Sequence, residues 1–288
     1  MKFWQAITWA ETEQLVDIAR FAEELGFTGL MSGDHALYPM SLAGGYPYSP
    51  TGMPPQTAHT EYADMWTSFA AMAAVTTKLQ FVCGVYVLPL RNPIEVAKQA
   101  ATLQLLSQGR FILGAGAGWM KEEFDIYGVD FPSRGARMDE MLDILEGLWR
   151  GEPFAFSGEH FQFDEITVTP YPKQPVPVFF GGAKGVALRR AARRGAGWIN
   201  TGDTAENLLP VLDKLHALRA EYGRADQAFE TLCGLYDKPD PGLYRELAER
   251  GVTSTIHLPF SFALGEHSSI DDKKRMMERY AEDIIQKV

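Results

Sequence analysis

Cysteine is nearly absent: Cys83 and Cys233 are the two in 288 residues. Both lie in apolar, strand-like runs, where buried thiols are expected rather than a disulfide framework. Long apolar runs are missing as well. No stretch reaches the ~18 uninterrupted apolar residues of a membrane span. Residues 1–8 pass straight into a strand-like pattern, without the charged region, apolar run and cleavage site of a signal peptide, so a cytoplasmic protein is expected. Basic side chains are outnumbered, 27 Lys and Arg against 37 Asp and Glu, for a formal charge of −10. They form no stripe that could neutralise a phosphate backbone, which argues against nucleic acid as a partner. An anionic cofactor would have to be held by local N–H groups and a few cations. Two catalytic signatures are also absent. The first strand reads Phe3-Trp4-Gln5-Ala6-Ile7-Thr8, with no His-x-His pair for a hydrolytic metal, and no Gly-x-Ser-x-Gly elbow occurs. No metal is expected.

What is present is a regular alternation. Strand-like segments fall at 1–9, 27–32, 79–88, 111–116, 178–180, 198–201, 229–236 and 253–258, and helical spacing occupies the intervals between them. Asn92-Pro93-Ile94-Glu95 marks one helix start clearly, with a cap, a proline suited to the first position and an acid at the third. Eight strands alternating with helices predict a parallel sheet closed as a single (β/α)₈ TIM barrel over 1–288. Two insertions are expected, a loop at about 36–62, rich in Gly, Pro, Tyr and Ser, and a helix and hairpin segment at about 119–177. No internal repeat or domain linker is visible.

In such a barrel the site lies at the C-terminal ends of the strands, which ranks the candidates. Asp34 and His35 end the second strand; a histidine there can serve as acid, base or hydrogen-bond donor, though a capping Asp beside a structural His would read the same way. His257, near the end of the eighth, shares that address. Gly84-Val85-Tyr86 interrupts a strongly β-branched run, the mark of a bulge or of close approach to a ligand. Gly114, Gly116 and Gly118, with Ala117, end the fourth strand; the spacing fits a dinucleotide fingerprint poorly and suits a surface for a flat ring. Gly181, Gly182, Ala183 and Lys184 lead from the fifth strand into a helix, whose free N–H groups can receive phosphate; packing alone could also require these glycines.

With these residues assembled, the chain resembles the luciferase-like monooxygenase superfamily, and within it the deazaflavin (coenzyme F420) dependent oxidoreductases. The likeness runs from Met1 to about Thr201 and rests on Leu88-Pro89-Leu90-Arg91-Asn92-Pro93, Gly116-Ala117-Gly118-Trp119, Arg134-Gly135-Ala136-Arg137 and Gly181-Gly182 in combination. The resemblance implies a luciferase-like barrel that forms a homodimer. It implies a non-prolyl cis peptide at Gly84-Val85 under the cofactor ring, with Asp34 and Gly116 to Gly118 nearby. His35 would lie at the reactive face and the cofactor phosphate at Gly181 to Ala183. Coenzyme F420 is the expected cofactor, and FMN the alternative. The sugar-phosphate dehydrogenases of the family carry a lysine after the sixth strand, where this chain reads Asn200-Thr201-Gly202-Asp203, and a glutamate where it has Trp119. Sugar phosphate is therefore disfavoured. Trp119, Tyr86 and the loop residues Tyr38, Tyr46 and Tyr48 suggest an aromatic wall for a less polar molecule. The implied activity is hydride transfer between F420 and that substrate; a two-component monooxygenase using reduced FMN and a non-catalytic flavin-binding barrel are the competing readings.

Overall fold

The computed structural model describes residues 1–288 except 43 and 47–51, so Tyr48 lies outside the described residues. The chain runs β1 (Lys2–Ala6), α1 (Leu15–Glu24), β2 (Gly29–Ser32), α2 (Met65–Val75), β3 (Gln80–Cys83), β4 (Tyr86–Val87), α3 (Pro93–Leu106) and β5 (Phe111–Gly116). It continues with α4 (Lys121–Tyr127), α5 (Arg134–Leu148), β6 (Phe154–Ser157), β7 (Gln162–Ile166), β8 (Val178–Gly181), α6 (Gly185–Arg194) and β9 (Gly197–Asp203). Last come α7 (Ala205–Glu221), β10 (Glu230–Leu235), α8 (Pro241–Glu249), β11 (Ser254–His257), a short unforeseen α9 (Ser261–Leu264) and α10 (Ile270–Asp283). Parallel pairing follows the order β3-β2-β1-β11-β10-β9-β8-β5, and β3 pairs with β5 to close the ring. The (β/α)₈ barrel is thus formed as expected, with β6 and β7 as a separate antiparallel hairpin. Among the described residues no helix is long and apolar enough to cross a membrane.

Local chemistry sets the helix starts. Asn92 Oδ1 accepts from the Ile94 and Glu95 N–H groups ahead of Pro93, and Asp64, Thr204, Asp240 and Ser269 cap α2, α7, α8 and α10 in the same way. Such a cap typically contributes ~1 kcal/mol. Two apolar layers follow from strand alternation. Trp4, Met31, Val82, Ile112, Phe179, Ile199, Leu232 and Ile256 fill the lumen, while Leu30, Phe81, Phe111, Leu113, Phe180 and Trp198 face the helices. Burial of an aromatic or branched side chain stabilises by roughly 1.5–3 kcal/mol, and the lumen is packed tightly enough that a Cβ on Gly29 would lie 2.3 Å from the Trp4 ring.

One strand departs from expectation. The run 79–88 is divided into β3 and β4: Gly84-Val85 between them is a cis peptide, and the register against β5 changes by one residue between Phe81↔Phe111 and Tyr86↔Ala115. That is a bulge. It turns two consecutive residues inward: a Cβ on Gly84 would meet Met31 Sδ at 2.5 Å, and Val85 packs on the lumen cluster. Tyr86 is thereby sent outward, into the helix-facing layer.

His257 also faces outward. Its ring stacks on Tyr280 with centroids 4.1 Å apart, and its Nδ1 lies 2.7 Å from Gln5 Oε1. Its strand-end address therefore serves packing and not the mouth, and burial pushes its pKa down to about 4. With an unfolded-state value of ~6.5, this histidine's contribution to stability is fully present above about pH 6.5. It is lost as pH falls towards 4, at up to ~1.4 kcal/mol per pH unit. Thermal unfolding of the wild type and His257→Gln between about pH 7.5 and 4.5 measures this. The variant is expected to lose stability less steeply, and parallel curves would contradict the assignment.

Candidate active site

The C-terminal mouth of the barrel has a floor made by the bulge. The two methyls of Val85 occupy the space where side chains on neighbouring strands would begin: a Cβ on Gly116 would lie 2.3 Å from Val85 Cγ2, and one on Gly181 would lie 2.7 Å from Val85 Cγ1. Gly114 is forced by backbone, since its Cβ would fall 1.7 Å from the Cys83 carbonyl oxygen. Gly116 and Gly181 thus flank one valine from two other strands. Ala117 and Ala183 are half-buried at the rim, against the helix-facing core.

Asp34 secures this floor. Its carboxylate accepts from the Val87 N–H at 2.9 Å and from Arg91 Nη2 at 2.9 and 3.1 Å. Burial raises its pKa against the opposing pull of Arg91 and the Val87 N–H. The arginines of the 134–137 motif clamp the adjoining loops. Arg134 Nε donates to the Gly118 carbonyl at 3.2 Å and Arg137 Nε to the Pro89 carbonyl at 2.9 Å. These residues hold backbone, and Asp34 acts through Val87 and Arg91 in this structure.

His35 stands at the rim. Its Nδ1 is 2.9 Å from Glu123 Oε2, and Glu123 Oε1 accepts from the Ala36 N–H at 2.8 Å. The Glu123 side chain is 1% exposed and that of His35 13%. The imidazole is held between the edges of Tyr62 and Trp119, with centroids at 5.8 and 5.6 Å. Tyr46 continues the wall at 5.0 Å from Trp119, and Trp9 from Tyr62 at 6.5 Å. Burial pushes the Tyr62 phenol well above its ordinary range, which keeps it neutral.

Sequence reasoning missed Glu123, Tyr62 and Trp9. Glu123 lies in the first turn of α4 beside Glu122, where an acid is unremarkable because it complements the helix dipole, so only tertiary packing marks it. Tyr86 needs correction as a substrate residue: it is 4% exposed, its hydroxyl accepts from Trp66 Nε1 at 3.0 Å, and Arg91 covers its ring. Tyr38 is half-buried in the loop after His35.

The β8 to α6 connection forms the opposite rim. Gly182 has φ +102° and Gly185 φ +55°, and the Gly182 carbonyl is anchored by Trp198 Nε1 at 3.0 Å. The helix itself starts at Gly185, and among the described residues the N-cap, Lys184, makes no side-chain capping hydrogen bond. Its first N–H groups are therefore available to an anion, at the positive end of a ten-residue helix. Exposed Lys184 stands at the same point. This rim and the floor suit a flat ring carrying phosphate.

Comparison with known proteins agrees with this geometry. The luciferase-like monooxygenase family profile matches residues 4–236. An F420-dependent glucose-6-phosphate dehydrogenase of Kineococcus radiotolerans is 30% identical over 273 residues, covering 91% of this chain and 74% of the relative. Among solved structures, an F420-dependent secondary alcohol dehydrogenase in complex with an F420-acetone adduct superposes with a TM-score of 0.78 at 17% identity, covering 99% of this chain and 98% of the other. A type II Baeyer-Villiger monooxygenase in complex with FMN, the oxygenating constituent of 3,6-diketocamphane monooxygenase from Pseudomonas putida, gives 0.62 at 17%, with 98% and 79% coverage. At these identities the superpositions establish the barrel alone. The protein is an oxidoreductase or monooxygenase by its relatives, and with a family match across most of its length, the chain belongs to the luciferase-like monooxygenase family.

Proposed function

We propose that this protein transfers a hydride between coenzyme F420 and a small, fairly apolar organic molecule, with His35 as the catalytic residue. The observation that carries the reading is the placement of His35, 13% exposed, at the rim of a floor built by Val85, Gly116 and Gly181, with its Nε2 unpartnered among the described residues. When bound, the deazaflavin supplies a two-electron carrier restricted in practice to hydride chemistry. The chain's own part is to bind, orient and move a proton. Val85 and the glycines would support the ring, with Gly84 and Gly118 shaping the backbone beneath and beside it. Gly181, Gly182, Ala183 and the start of α6 would receive phosphate. Trp119, Tyr38 and Tyr46, joined by Tyr62 and Trp9, would enclose the substrate and exclude water. Asn200, Thr201 and Asp203 form the C-terminal part of β9 without a cation, which favours an uncharged substrate over a sugar phosphate.

Reduced FMN with oxygen is the second reading, favoured by the same phosphate-receptive rim and by the FMN-bound structural neighbour. Equilibrium titration of the apoprotein with F420 and with FMN separates the two. F420 is expected to bind at least about tenfold more tightly, or ~1.4 kcal/mol, and tighter binding of FMN would overturn the proposal. Val186→Asp tests the phosphate site without disturbing the fold. Val186 is 58% exposed in the first turn of α6, where an acid favours the helix by roughly 0.3–1 kcal/mol. Affinity should fall by about tenfold or more with Tm unchanged or raised; unaltered affinity places the phosphate elsewhere. Gly182 is unsuitable for this test, because a Cβ there would lie 2.7 Å from Ala187 and φ is positive.

The role of His35 is read in single-turnover hydride transfer, with small alcohols, aldehydes and ketones screened as substrates. His35→Ala should slow the step by about 10²–10⁴-fold while cofactor affinity changes little. A wild-type rate in the variant removes His35 from the chemistry, whereas absence of hydride transfer in the wild type would favour a non-catalytic barrel.

A homodimer is part of the same proposal. The outer faces of α2 and α3 form an apolar groove of about 330 Å³ lined by Trp66, Ala70, Leu103 and Leu106, and Leu106 is 63% exposed. A second copy related by a twofold axis would cover this face with the same face of its own. Light scattering should give twice the monomer mass, and Leu106→Asp should halve it; a monomeric wild type refutes the dimer.

A further inference from the structure

The Glu123 carboxylate is buried, yet among the described residues no lysine or arginine pairs with it. Removing such a charge from water costs several kcal/mol unless hydrogen-bond donors replace the lost hydration. Two donors are available. The Ala36 N–H serves Oε1, and the second oxygen faces His35 Nδ1 at 2.9 Å. An imidazole lone pair directed at a carboxylate oxygen at that distance would be repulsive, so the contact is favourable when Nδ1 carries the proton. In a neutral ring the lone pair then belongs to Nε2. Among the described residues Nε2 is the atom left without a partner, on a side chain that is 13% exposed. Tyr62 and Trp119 flank the ring at interplanar angles of 88° and 79°.

We propose that Glu123 is the positioning residue of this site: it fixes His35 as the Nδ1–H tautomer, so that Nε2 presents a proton acceptor to the mouth. The substrate class follows. An alcohol is matched to this tautomer: its O–H bond would break as the new N–H bond forms at Nε2, while the hydride of its C–H bond would pass to oxidised F420, which is reduced as the carbon is oxidised. In the reverse direction a carbonyl oxygen receives that proton from imidazolium. The inference rests on the reading of His35 as proton carrier, but its central claim is a property of the apoprotein.

Long-range ¹H–¹⁵N correlation of histidine-labelled apoprotein tests it, at about pH 8, above the ordinary histidine range. His35 is assigned by the signals lost in His35→Asn. The wild type is expected to show Nδ1 protonated and Nε2 bare. In Glu123→Gln the amide has one acceptor and one donor group for two positions. With its oxygen on the Ala36 N–H, its NH₂ faces Nδ1, and the ring proton is expected to move to Nε2. A purely structural role for Glu123 would lower stability without this exchange. An Nε2–H wild type overturns the proposal, as does a Glu123→Gln spectrum that keeps Nδ1–H. Should that variant not fold, Glu123→Ala gives the same reading, and the wild-type spectrum decides if neither folds. Failure of F420 to bind would leave the tautomer result intact, so the two proposals fail separately. Where F420 does bind, Glu123→Gln should lower kcat by about 10²–10⁴-fold, as wrong-tautomer variants do, with cofactor affinity within about twofold of wild type.

Discussion

The site depends on a one-residue offset between β3 and β4 as they run beside β5. In a regular strand alternate residues face the lumen, and the layer above Met31 and Val82 would receive a single side chain from this position. The bulge directs Gly84 and Val85 inward together, so one valine reaches across to two other strands. That reach dictates the absence of side chains at Gly116 and Gly181. Asp34, Arg91 and Arg137 then become intelligible as a set. Each holds a backbone group or partner between Val87 and Arg91, the segment leaving the bulge, so polar residues at the rim serve first to keep an apolar floor in place.

The sequence made the barrel legible because its strands are short apolar runs separated by well-capped helices. The limits 111–116 were readable to the residue, and Asn92-Pro93 announced α3. The break in 79–88 was visible only as a glycine in a β-branched run; the consequence for Tyr86 was not visible, because a single inserted residue reverses the face of everything after it. His257 was misleading for a related reason: its position along β11 was right for the mouth, but its parity pointed it towards Tyr280. Glu123 carried no local sign at all. A carboxylate in a first helical turn is ordinary, and its burial against His35 is created by packing between segments nearly ninety residues apart.

Charge is partitioned in a way that overall composition conceals. The chain is acidic, yet α6 and its approach carry Lys184, Arg189, Arg190, Arg193 and Arg194. Two of the arginines are committed to neighbours: Arg190 pairs with Asp139, and Arg194 with Asp143 and Glu146 on α5. What is left at the mouth is the helix start with Lys184, a small positive focus in a negative molecule. An anion approaching the barrel is opposed by the whole and attracted by one rim.

The rings around His35 come from different parts of the chain: Trp9 after β1, Tyr62 before α2, and Trp119 before α4, with Phe262 of α9 stacked on Trp9. The floor beneath is specified by main chain, glycines and one valine, where substitution is sterically forbidden. Walls and floor are therefore under unequal constraint in evolution. A wall aromatic can be exchanged for another residue without disturbing strand register, so on the proposed reading of the wall as the substrate's enclosure, new substrates would be reached through single changes while the surface beneath stays fixed.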